Sequence, residues 1–306
     1  MRRSTAWCLA LGIDIAAGEL PAAIHPVVLV GRGIALLERR PPADPAAALG
    51  RGIVLVAVPG TLAAIVGWAA EQIPDRRVRS VASLLLLSSS FALRGLVEAG
   101  RQTELALESG DLATARTRVR ALVSRPTADL DGARLASAVV ESLAENLVDS
   151  YVAPMAWYAL GGLPAVLVYR VVNTADAMVG YRGAYEYLGK AAARLDDGAN
   201  LVPAWLGVAS IVAAAPFAGG SAREAWRTTR RDGGRTASPN AGRPMAAAAG
   251  ALGVWLEKPG VHLLGIGGRT PTPADARRAR RLVVGAALVA TAVFVAVDRW
   301  RGRGPA

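Results

Sequence analysis

The sequence predicts an all-α, polytopic integral membrane protein with four to six membrane segments joined by helical extramembrane loops. Three observations lead there. Hydrophobic residues make up 53% of the 306-residue chain, and the mean hydropathy of +0.33 is high for a protein folded in water. The apolar residues gather into uncharged segments at 53–70, 80–93, 150–169, 198–222 and 282–297. Between them, mixed charges accompany apolar residues at helical spacing, most clearly over 94–149.

Taken in order, the elements begin with Arg2-Arg3 and a short apolar run that Asp14 interrupts. It superficially resembles a signal peptide but lacks a persuasive cleavage site, so it reads as a retained membrane-associated helix. His25-Pro26 breaks the chain before a helical run ending at Glu38-Arg39-Arg40, and the Pro-rich PPADP that follows is a linker. A spanning helix needs about 20 mostly apolar residues, within roughly 17–25. Segments 150–169 and 198–222 meet that length, and 53–70 is close. Segment 282–297 reaches it if Arg281 and Asp298 snorkel, whereas 80–93 is short enough to be a buried or interfacial helix.

Residues 94–149 read as an extramembrane helical insertion. Asp111 is placed to cap one helix and Asp129 or Asp131 to cap the next, with a turn at Ser124-Arg125-Pro126-Thr127. Gly161-Gly162-Leu163-Pro164 lies in the middle of segment 150–169, predicting either a kinked helix or a re-entrant pair of half-helices. Cooperation between the polar groups on its two flanks would require the re-entrant form, which is the reading favoured. A turn at 238–242 precedes a helix expected over 13 uncharged residues from Pro244 to Leu256.

Charge and cysteine usage narrow the classes further. The net charge is +11, yet 33 of the 35 basic residues are Arg, with Lys190 and Lys258 the only lysines. No nucleic-acid-binding signature accompanies them. Eleven arginines fall between 223 and 281, which the positive-inside rule places in the cytoplasm. Cys8, the one cysteine, excludes an internal disulfide and any multi-cysteine metal site. The whole chain, 1–306, thus reads as one membrane-embedded domain with the insertion at 94–149 and an Arg-rich cytoplasmic loop at 223–281.

The candidate chemistry lies beside segment 150–169. Glu141, Glu145 and Asp149 follow at i, i+4 spacing and stack in one helical stripe; such like-charge pairs repel, so a cation, a metal or a substrate amine is expected to offset them. A solvated outer face is the plain alternative. After the segment come Asn173 and Asp176 at i, i+3, then Arg182, Lys190 and Arg194, then Asp196, Asp197 and Asn200. Carboxylates among cations suit Mg²⁺-assisted phosphate chemistry, although loop salt bridges have the same composition. Ser238 and Asn240 precede a helix start, a weak anion-site signal. No P-loop, GxGxxG, HExxH or GxSxG occurs, so any nucleotide site is of another kind.

The order of these blocks resembles the adenosylcobinamide-phosphate synthase family of cobalamin biosynthesis, the CobD/CbiB type. The resemblance rests on His25-Pro26-Val27, LVSRPTADLD at 122–131, ESLAENLVDSYVAP at 141–154, YRVVNTADAMVGYR at 169–182, LGKAAARLDDGANLVPA at 188–204 and SPNAGRPMAAAAGALGV at 238–254. Gly18-Glu19-Leu20 departs from the Gly-Asp-Pro-like turn expected there, and the stretch after Lys258 matches weakly. The resemblance implies a membrane enzyme of the bacterial cytoplasmic membrane, its active site on the cytoplasmic side. Such an enzyme joins a corrinoid carboxylate to an amino-alcohol phosphate with ATP and Mg²⁺; the corrinoid is a substrate and not a cofactor. It implies catalytic roles for Glu141, Glu145, Asp149 and Asp176. Substrate or phosphate binding falls to His25, Asn146, Asn173, Arg182, Lys190, Arg194, Ser238 and Asn240, and Mg²⁺ to Asp196 and Asp197. Expected partners are the lipid bilayer and other cobalamin-pathway enzymes, with no nucleic acid. A transporter, or a non-catalytic regulator of the same fold, is the competing reading. The crowding of polar residues at segment ends and the intact acidic blocks weigh against both.

Overall fold

A computed structural model of the chain describes residues 2–38, 41–181 and 183–302. In chain order the helices are α1 Arg3–Ala17, α2 Pro26–Glu38, α3 Pro45–Gln72, α4 Arg76–Ser88, α5 Leu93–Glu108, α6 Leu112–Arg118, α7 Gly132–Leu147, α8 Ala153–Val179, α9 Lys190–Ala214, α10 Ala222–Asp232, α11 Gly242–Leu252 and α12 Pro273–Arg301. Strands β1, Leu256–Lys258, and β2, His262–Leu264, pair antiparallel between α11 and α12. Among the described residues five helical stretches are long and apolar enough to cross a bilayer: Pro45–Gln72, Arg76–Glu108, Gly132–Val179, Lys190–Ala218 and Pro273–Arg301. The chain is an all-α polytopic membrane protein, as its apolar segments predict. Outward residues of these helices are themselves apolar, including Leu62, Trp68, Val202, Leu288 and Trp300, a surface suited to lipid and costly in water.

The chain forms two compact units, 1–92 with 153–200 and 294–306, and 93–152 with 201–293. In the first, α3 packs along α8, and α2 and α4 flank that pair. Ile34, Leu55, Val56, Val172, Ala175 and Val179 form its core, and the Trp7 ring packs at a tilt against Phe91, centroids 4.5 Å apart. The helices begin where side chains satisfy their orphan amides. Asp44 caps α3 through the Ala47 amide at 2.7 Å, with Pro45 at the first helical position.

The expected break in segment 150–169 is real and lies at Gly162, whose φ of 67° is left-handed while its neighbours are helical. The Glu71 carboxylate accepts the Leu163 amide at 2.9 Å and so restarts the helix on the far side of the break. At 1.5 Å per residue the piece after the break, 163–179, is roughly 26 Å long, while the piece before it is continuous with α7 through residues 148–152.

In the second unit α7 is buried on nearly every side, wrapped by α5, α11 and β1. Asp111 caps α6 and Asp131 caps α7, each through the amide three residues on, at 3.0 and 2.8 Å. The helix expected to run from Pro244 to Leu256 instead ends at Leu252. Gly253 takes φ 70° and closes it with amide bonds back to the last turn. The next residues turn into the hairpin, which no apolar periodicity announces because each strand is three residues long.

Candidate functional site

The acidic stripe lies on α7. Its first member, Glu141, is deeply placed, with a side chain 8% exposed. One carboxylate oxygen lies 3.3 Å from Arg125 Nη2 and the other 3.1 Å from His262 Nε2. Thus a turn before α7 and a strand some 120 residues later meet on one carboxylate. The turn is held rigidly: Thr127 Oγ1 donates to the Arg116 carbonyl at 3.0 Å, and Arg116 Nε donates to the Leu130 carbonyl, also at 3.0 Å. The hairpin is held by the Ser137 hydroxyl, which accepts the Glu257 amide at 2.9 Å, and by Arg134 Nε on the Glu257 carboxylate, also at 2.9 Å.

Glu145 and Asp149 are half-buried and engaged in interactions of their own. The turn after Leu147 is a π-turn, 148–152, so i, i+4 stacking runs from Glu141 to Glu145 and the third member leaves the α-helical register. Asn146 folds back on its own helix and donates to the Ser142 carbonyl and hydroxyl at 3.0 Å each.

A second polar cluster joins α8 to α9. Asp196 accepts from Asn173 Nδ2 at 3.2 Å on one oxygen and from Asn200 Nδ2 at 3.0 Å on the other. Tyr169 donates to Asn200 Oδ1 at 3.1 Å, and Arg170 Nη1 to Asn173 Oδ1, also at 3.1 Å. Asp176 lies one turn further along α8 with its carboxylate against Gly180, where no side chain fits. Arg194 is exposed and lines a 580 Å³ groove with Trp157, Tyr169 and Val172. Lys190 is exposed, its Nζ 5.8 Å from the Tyr187 ring. Arg182 falls outside the described residues.

His25 is buried in the turn before α2, and its Nδ1 has no hydrogen-bond partner among the described residues. Burial pushes its pKa below the ordinary imidazole value, Glu19 opposes this, and the Arg170 charge reinforces it. Ser238 and Asn240 sit before α11. There the Ser238 hydroxyl accepts the amides of Asn240 and Ala241 at 3.2 and 3.4 Å, so it takes up donors that an anion at this helix start would use. Nearby, burial pushes the Asp232 carboxyl up, but the hydrogen bonds from Arg231 and the Gly265 amide outweigh it and hold the pKa below the usual carboxylate range.

Asp196 and Asp197 are successive helical residues, about 100° apart around the axis, and do not converge on one point. Among the described residues no three His, Cys, Asp or Glu side chains gather to hold a metal unaided. Residue spacing also gave no sign of Arg125 and His262 as partners of Glu141. Arg125 sits in a turn read only as a turn, and His262 is 121 positions away.

These features define a class: a helical membrane protein whose helix-borne acids are held by Arg, His and Asn partners. The chain belongs to the CobD/Cbib protein family, whose model matches residues 7–284. It is 43% identical to the cobalamin biosynthesis protein CobD of Dehalococcoides mccartyi over 84% of this chain and 85% of that one. It is 41% identical to the protein of that name in Mycobacterium tuberculosis, over 91% of each chain. It is 39% identical to a probable cobalamin biosynthesis protein CobD of Thermococcus kodakarensis, over 90% and 88%. No solved structure matches the chain.

Proposed function

We propose that this protein is an adenosylcobinamide-phosphate synthase, joining a carboxylate of adenosylcobyric acid to the amine of (R)-1-amino-2-propanol phosphate or a close relative. The observation that carries the reading is near full-length membership of a family whose relatives are named for cobalamin biosynthesis. An amine does not displace oxygen from a free carboxylate, so the reaction requires an activated carboxyl; Mg²⁺–ATP, as substrate and ion, supplies that activation.

In this reading Glu145 and Asp176 are proton acceptors, and Lys190 and Arg194 hold phosphate oxygens of ATP and neutralise developing charge. Arg182 joins them in phosphate binding. Asp196 fits as a single direct ligand to Mg²⁺, an ion that keeps most of its shell as water or phosphate oxygen. Its two oxygens are oriented by Asn173 and Asn200, and each retains a lone pair. The Arg-rich stretch 223–281 and the reaction face the cytoplasm of a bacterial inner membrane.

The test supplies membranes carrying this protein with adenosylcobyric acid, aminopropanol phosphate and Mg²⁺–ATP, and follows the amide-linked phosphorylated corrin by mass spectrometry. Product is expected to require ATP and to fall about 100-fold or more in Glu145→Gln and Asp176→Asn, the usual scale for a lost proton acceptor. Folded protein that makes no product with any of several amino-alcohol phosphates would overturn the proposal.

A further inference from the structure

Outside the residues assigned above, the second unit holds a hollow of 470 Å³ lined by Arg125, Asp129, Arg134 and Lys258, with Pro126, Leu130, Pro259 and Val261 as its apolar wall. That volume lies within the range of small-molecule sites. Three cations and one carboxylate line it. The cations are not equally committed elsewhere. Arg134 spends its Nε on Glu257. Arg125 Nη2 lies 3.3 Å from Glu141 in an ion pair, and all three of its guanidinium nitrogens are shielded from water without a hydrogen-bond partner among the described residues. A guanidinium 11% exposed with donors unmet is an expensive arrangement for a chain to keep empty-handed, because buried donors are nearly always satisfied.

The framework around the hollow is rigid on both sides. Thr127, Arg116 and Asp131 fix the turn that carries Arg125 and Asp129. Ser137 and Glu141 fix the hairpin that carries Lys258. Pre-organised cations around a hollow suit an anion with several oxygens, and the planar Arg fork suits phosphate in particular. Asp129 sits in the same lining and would repel an inorganic anion, but it complements a ligand that carries its own positive charge.

We propose that Arg125, Arg134, Lys258 and Asp129 form a binding site for a small soluble zwitterionic phosphomonoester. The phosphate lies on the three cations and the ammonium on Asp129. The site itself rests on this lining; its identification as the seat of the amino-alcohol phosphate rests on the synthase reading.

The test is equilibrium dialysis of the full-length protein in detergent with labelled O-phosphoethanolamine and, separately, inorganic phosphate. Loss of one charge-assisted hydrogen bond weakens binding by about tenfold or more. Lys258→Gln and Arg125→Gln are therefore expected to weaken both ligands by about that factor. Asp129→Asn is expected to weaken O-phosphoethanolamine several-fold while leaving inorganic phosphate as tight or tighter, which a general loss of structure would not do. Arg227→Gln, which removes the same charge from the exposed face of α10, should bind both within about twofold. Should Arg125→Gln fail to fold, Lys258→Gln and Asp129→Asn decide the matter.

Wild-type affinity for both ligands in those two variants would overturn the site. So would Lys258-dependent binding of phosphatidate in nanodiscs with none of the soluble ligands, since that assigns the cations to lipid. The two readings fail separately. Charge-specific binding without amide product keeps the site and sinks the synthase. Product formed with an unchanged KM for the amino-alcohol phosphate in Lys258→Gln sinks the site and keeps the synthase.

Discussion

Glu141 shows how one side chain serves two neighbours. Its carboxylate faces Arg125 on one oxygen and His262 on the other, so Glu141→Ala leaves a guanidinium buried without counter-charge. Removing one partner of a buried pair costs about 3–5 kcal/mol. Unfolding in mixed SDS micelles should show that loss, and a shift under about 1 kcal/mol would mean that the ion pair contributes little. His25 and Asp232 predict two separate acid limbs. The folded pKa of His25 lies below its unfolded value, so the unfolded chain binds more protons as pH falls through about 6.5, and stability declines from there until the folded value is passed. His25→Gln should flatten that limb. The folded pKa of Asp232 is also depressed, so its contribution is present above about pH 4 and disappears below it as the carboxyl protonates. Asp232→Asn should remove the lower limb and leave the upper one, as read from melting temperature against pH. The acids were legible in the sequence because their spacing is local. Their partners were not, because a contact between positions 141 and 262 leaves no trace in a period of 3.6.

Elements were more legible than contacts. The apolar runs gave the long helices, and Asp111 and Asp131 gave true starts, because caps act within three residues. The hairpin was missed since three residues are too few for alternation to register, although Gly253 was available as a stop signal. Two glycines in α3 predict opposite effects. A Cβ at Gly67 would stand 2.6 Å from the Pro164 backbone nitrogen, where α3 crosses α8, whereas one at Gly50 would meet nothing within 4 Å. Gly67→Ala should therefore lower stability by about 1–3 kcal/mol through forced separation of the helices. Gly50→Ala should match or exceed wild type by up to about 1 kcal/mol from helix propensity. Melting of the two variants side by side in detergent checks the order, and equal values would mean that the crossing is not held at Gly67.

At the scale of the whole molecule, the class of fold was plain from hydropathy and the family from the order of several motif blocks. Sidedness remains to be read from charge. A single cysteine at Ala237, introduced with Cys8→Ser, is expected to resist an impermeant maleimide in intact cells and to react once the membrane is opened, if the positive-inside rule sets the side of the Arg-rich stretch as proposed. Labelling of intact cells would reverse the topology. The anchoring of α7 to the β1–β2 hairpin has a consequence in time as well as space. Ribosomes deliver α7 first, then α8 and α9, and the strand that carries His262 only more than 110 residues after α7 has ended. Until then Glu141 lacks one of its two partners, and the hollow beside Arg125 lacks the wall formed by Lys258, Pro259 and Val261. Newly made chains therefore pass through an interval in which the second unit is incomplete, and an incomplete unit exposes surface that the finished fold covers.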